Sequence, residues 1–215
     1  MIKLYLVRHG ESAHNLENRI QGQSDSPLTP LGIRQAEVVA VRLAVEHFDA
    51  VYSSDLGRAL QTAEIIAAPH HLPVQATSLL RERDFGVVQG MTRAEIEERF
   101  PSDRFEWRRS PSGTAPPDAE THPLVVERCG RFISQVLQDQ PLGSCVLAIC
   151  HGGSLSGLIL SALGLPVSAY RMLHFSNVGI SILEIGDAPS LRCLNDTCHL
   201  ANVEVTDEDA DNAAG

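Results

Sequence analysis

Two stretches decide the reading: Ile2-Lys3-Leu4-Tyr5-Leu6-Val7-Arg8-His9-Gly10 near the start, and Cys145-Val146-Leu147-Ala148-Ile149-Cys150-His151-Gly152-Gly153 later in the chain. Each is a short, largely apolar run that stops at a histidine followed by glycine. A run of this length closed by polar turn residues is the pattern of a buried central strand. In open α/β sheets the default ligand site is the crevice beyond the carboxyl ends of such strands. One histidine placed there is usually structural. Two at matching strand ends, one beside Arg8 and both followed by glycine, point to a place where backbone N–H groups approach an anion closely.

Helical patterns fill the space between these strands. Thr29-Pro30 is a helix start, with Thr as N-cap and Pro in the first turn, and Ala36, Val39, Ala40, Leu43 and His47 follow at helical spacing. Phe48–Ser53 reads as a second strand, with Asp55 capping a helix that Pro69 stops near Ala68. Val74–Ala76 is a short third strand. Thr92-Arg93-Ala94-Glu95 is a capping box opening a helix that ends before Pro101. Residues 108–119, rich in Pro, Gly and Ser, read as a surface excursion. Val125, Cys129, Phe132 and Val136 mark a long amphipathic helix, and Leu155–Leu163 another, capped by Gly164. Asn177–Ile185 and Ser190–Leu194 close the chain as strands. Alternating strands and helices define the class as α/β with a mainly parallel sheet.

Composition narrows the function classes. The chain has 215 residues, 43% apolar and 20% charged, enough to bury one core without metal or disulfide staples. Its net charge is −10, and Glu204, Asp207, Glu208, Asp209 and Asp211 supply half of that. We therefore expect one domain over residues 1–203 and an acidic, solvated tail over 204–215. An acidic chain without a basic run lacks the footprint of a nucleic-acid binder. No apolar run approaches the ~18 residues of a membrane span. Cys129, Cys145, Cys150, Cys193 and Cys198 are odd in number and lack CxxC spacing, so they read as reduced, mostly buried thiols. The opening apolar run is too short for a signal segment, and the compartment expected is the cytoplasm.

Further blocks surround the two histidines: Leu6-Val7-Arg8-His9-Gly10-Glu11-Ser12-x-x-Asn15, Pro27-Leu28-Thr29-x-x-Gly32, Ser53-Ser54-Asp55-Leu56-x-Arg58-Ala59-x-Gln61-Thr62-Ala63, Leu80-x-Glu82-x-x-Phe85-Gly86-x-x-x-Gly90 and His151-Gly152-Gly153. In this order they resemble the signature of the histidine phosphatase superfamily, in its phosphoglycerate-mutase-like branch, over residues 2–195. The resemblance implies a three-layer α/β sandwich and phosphoryl transfer through a phosphohistidine. It carries the catalytic roles to His9, Arg8, Arg58, Glu82 and His151, and substrate contacts to Gly10, Asn15, Gln21, Gly22, Gly152 and His199.

Physical chemistry supports these roles. A neutral imidazole is a competent nucleophile near neutral pH. A phosphoryl group in transfer needs fixed donors around its equatorial oxygens, which the forks of Arg8 and Arg58, a further donor on His151 and the Asn15 amide can supply. The leaving alkoxide needs a proton, and Glu82 matches the acid/base position. No metal or other cofactor is expected, since the arginines take the place of Mg²⁺. HExxH, EF-hand and CxxC patterns are missing from the sequence.

Reaction class rests on the rim. The mutase branch usually has Trp where this chain has His14, Tyr where it has Phe85, and Gly-Asn where it has Gly152-Gly153. Trp107-Arg108-Arg109-Ser110 and Pro116-Pro117 resemble instead the mutase segment that grips a second phosphate. The ending Leu194-Asn195-Asp196-Thr197-Cys198-His199-Leu200 is similar to that of metal-independent phosphoserine phosphatases, which often carry His at the place of Phe85. A phosphomonoesterase is expected, with phosphoserine, phosphoglycerate derivatives and sugar phosphates open as substrates. A cofactor-dependent phosphoglycerate mutase is the alternative, and a non-catalytic phosphate-binding module the third reading. The partners expected are a small phosphorylated metabolite and a second copy of the chain.

Overall fold

The computed structural model describes residues 1–101 and 115–201. The chain runs β1 (Ile2–Arg8), α1 (Ala13–Leu16), α2 (Pro30–Leu43), β2 (Ala50–Ser54), α3 (Gly57–Ala67), β3 (Val74–Thr77) and α4 (Arg93–Arg99). It continues as α5 (His122–Asp139), β4 (Cys145–Cys150), α6 (Gly152–Leu163), β5 (Ile180–Ile185) and β6 (Ser190–Asp196). The strands form one sheet in the order β3-β2-β4-β1-β5-β6. β3, β2, β4 and β1 pair in parallel, whereas β5 lies antiparallel to β1, and β6 to β5.

Side-chain alternation along β1 builds the sandwich. Leu4 and Leu6 face a core with Val125, Phe132, Leu155 and Leu158 of α5 and α6. Tyr5 and Val7 face the opposite core, with Val39 and Leu43 of α2 and Ala59, Ala63 and Ile66 of α3. With both faces covered, β1 and β4 are apolar apart from Lys3 and Arg8, which is why both runs read as central strands. Tyr52 and Phe132 meet edge to face with ring centroids 5.4 Å apart.

Several local expectations shift. Thr29 caps α2 by accepting from the Gly32 N–H at 3.0 Å, but the helix ends at Leu43 and His47 lies beyond it. Asp55 does not cap α3; Arg81 takes both its carboxylate oxygens, at 2.7 Å each, and the helix begins at Gly57 behind Leu56. β2 starts at Ala50 rather than Phe48, and β5 at Ile180 rather than Asn177. β6 runs on to Asp196. The Thr92–Glu95 capping box forms as read, and Gly164 caps α6, which begins at Gly152 rather than Leu155. Cys129 and Cys150 are buried, Cys145 and Cys193 half-buried and Cys198 exposed, all as free thiols. Trp107, most of the 108–119 excursion and the acidic tail lie outside the described residues.

Candidate active site

β1 and β4 are neighbours in parallel register, with Arg8 opposite Cys150, so both chains leave the sheet at the same edge. His9 and His151 follow there, their ring centroids 5.0 Å apart. His9 is 2% exposed and His151 fully buried.

His9 Nδ1 lies 2.7 Å from Gly10 O. A carbonyl only accepts, so the proton sits on Nδ1 and the lone pair on Nε2. Arg58 Nε donates to that Nε2 at 3.3 Å. Burial, then the charges of Arg8 and Arg58, hold the His9 pKa well below 6.5, so the ring is neutral. Its loop is packed tightly: a Cβ on Gly10 would lie 2.4 Å from Gly32 O, a contact only glycine permits. The Gly10 N–H donates to Thr62 Oγ1, and Glu11 O accepts from the Thr29 N–H, tying the loop to α3 and α2.

Arg58, in the first turn of α3, is almost fully buried, and burial lowers its pKa to about 10. It therefore stays charged at neutral pH. Its outer nitrogens donate to Gly22 O at 2.7 Å and Ser24 O at 2.9 Å. Gly22 thus serves the site through its carbonyl. Arg8 donates to Phe175 O at 2.6 Å, while its Nε, buried, has no partner among the described residues. The same holds for His151 Nδ1. His151 Nε2 shares a hydrogen bond with Ser54 Oγ at 2.9 Å. If Ser54 donates, the His151 proton sits on Nδ1 as a free donor. Buried donors without partners are costly, and an anion would satisfy them.

Asn15 Oδ1 accepts from the Ser12 N–H at 3.2 Å and from Asn177 Nδ2 at 3.3 Å. Its remaining contribution to a ligand is therefore its own N–H pair. Ser12 Oγ lies 2.9 Å from Gln21 Oε1, which places Gln21 as a brace of the same loop. Asn177 Nδ2 also donates to His9 O at 2.9 Å. Its neighbour Val178 takes a left-handed φ of 51°, unusual for a β-branched residue, and donates its N–H to Arg8 O.

Glu82 enters from the loop after β3. Its Oε1 accepts from the Arg83 N–H at 2.7 Å and its Oε2 from the Gly153 N–H at 3.1 Å. Arg128 of α5 fixes this loop, donating to Leu79 O, Arg81 O and Glu82 O while pairing with both Glu120 oxygens. The structure thus brings together Arg8, His9, Gly10, Asn15, Gln21, Gly22, Arg58, Glu82, His151 and Gly152. It does not bring His199 among them by any hydrogen bond. His199 Nδ1 lies 3.3 Å from Arg42 Nη1, on a short turn after β6 beside α2. Sequence reasoning assigned no separate role to Ser54, Thr62, Asn177, Arg128 or Tyr170. The first two lay inside the quoted motif; the others touch the site from distant positions with no local signal.

Fold and site define an α/β protein with an anion cradle of two arginines and two histidines at the carboxyl edge of its sheet. The model of the histidine phosphatase superfamily (branch 1) matches residues 4–197, and the chain belongs to that family. It is 37% identical over 210 residues to a Yersinia pestis (strain Pestoides F) protein named "Probable phosphoglycerate mutase GpmB", covering 93% of this chain and 95% of the relative. Among solved structures it is similar to mycobacterial glucosyl-3-phosphoglycerate phosphatase in complex with VO3, at 30% identity and a TM-score of 0.83 over 91% of this chain and 99% of that one. It is also similar to the alpha-ribazole phosphatase of Shigella flexneri, at 28% identity and a TM-score of 0.84 over 90% and 96%. The two phosphatase structures support a phosphatase-like enzyme. No helix among the described residues is long and apolar enough to cross a membrane.

Proposed function

We propose that the protein is a phosphomonoesterase that hydrolyses small organic phosphates through a phosphohistidine on His9, with Glu82 as general acid and base. One observation carries this reading: His9 Nδ1 is tied to Gly10 O, leaving the Nε2 lone pair beside Arg58. In the first step Nε2 bonds to phosphorus as the ester P–O bond breaks, and Glu82 gives its proton to the leaving oxygen. Arg8, Arg58, His151 and Asn15 hold the equatorial oxygens, where fixed donors stabilise the charge of the transition state. In the second step water bonds to phosphorus, the P–N bond breaks, and the water proton passes to Glu82. The chemistry needs no metal.

The mutase reading is supported by the 37% identity to the Yersinia protein and by the resemblance of Trp107-Arg108-Arg109-Ser110 and Pro116-Pro117 to the mutase segment. Against it stand His14, Phe85 and Gly153 at positions where that branch usually differs. Phosphate release from phosphoserine, 3-phosphoglycerate and glucosyl-3-phosphoglycerate, measured without 2,3-bisphosphoglycerate and with EDTA present, separates the two. We expect release from at least one ester, unaffected by the chelator. Interconversion of 2- and 3-phosphoglycerate faster than release would replace the phosphatase reading.

A further inference from the structure

Tyr170 has a side chain that the chemistry described so far does not use. It is 7% exposed, on the turn after α6, and its hydroxyl has no hydrogen-bond partner among the described residues. A buried hydroxyl left unpaired is costly, so its retention asks for a reason. The ring is fixed: it stacks on His122 with centroids 4.3 Å apart and planes at 28°. His122 Nε2 in turn lies 2.9 Å from Arg83 Nη1, and the Arg83 N–H is the donor to Glu82 Oε1.

Gly153 shows what the hydroxyl faces. A Cβ at that position would lie 2.1 Å from Glu82 Oε1 and 2.7 Å from Tyr170 Oη. The carboxyl and the phenol therefore meet across the space that a missing side chain leaves open. Burial first, then the Glu82 charge, pushes the Tyr170 pKa well above 10, so the phenol remains a donor throughout the working pH range.

We propose that Tyr170 is the positioning residue for Glu82, its hydroxyl donating to Oε1 as the carboxyl releases its proton to the leaving group. The ionised carboxylate then holds three donors, the Arg83 and Gly153 N–H groups and the phenol. The side chain is thereby kept in the one orientation from which it gives its proton to the leaving oxygen and later accepts that of the attacking water. Tyr170 transfers no proton and touches no substrate. The inference rests on Glu82 being the general acid and base.

The test is single-turnover formation of the phosphoenzyme from an alkyl ester, phosphoserine, and an aryl ester, p-nitrophenyl phosphate. It uses Tyr170→Phe, Glu82→Gln and the double variant. An alkoxide needs protonation far more than a nitrophenolate does, and general acid catalysis is worth about 10²–10⁴-fold. Glu82→Gln should lose most of that factor on the alkyl ester alone. Tyr170→Phe should lose about tenfold on the alkyl ester, with an unchanged rate on the aryl one and an unchanged KM. The double variant should be no worse than Glu82→Gln, as expected of residues acting through one another. Equal loss on both esters, additive losses, or a wild-type rate in Tyr170→Phe would overturn the proposal. If Glu82→Gln itself shows no difference between esters, the acid/base reading of Glu82 is the one that fails.

Discussion

Arg58 Nε lies 3.3 Å from His9 Nε2, donating into the lone pair on which the phosphoryl group would form. The arginine is held there by two loop carbonyls, those of Gly22 and Ser24. In the proposed reaction an entering phosphate oxygen would take over the Nε–H and so free the imidazole. Arg58→Lys keeps the charge but loses the planar fork. We expect kcat/KM to fall by about 10²–10³-fold, the scale of losing a fixed transition-state donor. Steady-state kinetics with p-nitrophenyl phosphate checks this, and a loss under fivefold would mean that charge alone suffices.

The pH dependence follows from the two buried histidines. Burial and the arginine charges lower both pKa values well below 6.5, so His9 stays neutral in mildly acidic solution. The acid limb of kcat/KM that reports His9 should therefore fall below pH 6.5. Stability runs the same way. Below the unfolded pKa the unfolded chain binds protons at these positions while the folded chain does not. Each histidine then costs up to about 1.4 kcal/mol per pH unit, until the folded pKa is reached. Urea midpoints should drop between pH 7 and 5, and the drop should shrink in a variant with His151→Asn. A flat profile would contradict the shifts.

Gly153→Ala sets function against stability. The added Cβ meets the flexible end of Glu82 and the hydroxyl of the fixed Tyr170 ring, but no backbone. Alanine is also the better helix former, by up to about 1 kcal/mol inside a helix. The melting temperature should stay within a few degrees of wild type, while kcat on an alkyl phosphate falls at least tenfold. A variant that loses both together would show the carboxyl to be rigidly packed.

Arg128→Met tests the frame rather than the chemistry. It strips donors from Leu79 O, Arg81 O and Glu82 O and leaves the half-buried Glu120 carboxylate with the Asp84 N–H but no countercharge from Arg128. Breaking such a pair costs about 3–5 kcal/mol. Urea unfolding should report a loss in that range, and a change below 1 kcal/mol would show that water replaces the guanidinium.

The two strands ending in His9 and His151 were legible because burial on both faces leaves an unbroken apolar run. Arg58 and Glu82 were legible through their motif rather than any physical signature, since each sits in a polar stretch that would read as surface. Asp55 misled because a local cap and a distant arginine compete for one carboxylate, and Arg81 wins. The antiparallel placement of β5 left no mark either. An apolar strand has the same pattern whichever way it runs, and the segment from Gly164 to Gly179, which brings the chain back beside Arg8 before β5 begins, decides it. Tyr170, Asn177 and Arg128 reach the site from positions whose neighbours carry no signal, so only their contacts reveal them.

The register Arg8 opposite Cys150 has a consequence for how such a protein can diversify. The spacing of the two histidines is set by ladder hydrogen bonds in the middle of the sheet, and a one-residue slip of either strand would turn its side chains to the other face. The rim carries no such obligation. Insertions or replacements around the mouth can retune which ester enters without disturbing the distance between the reacting rings. A lineage built on this frame can exchange substrates cheaply while its reaction stays fixed.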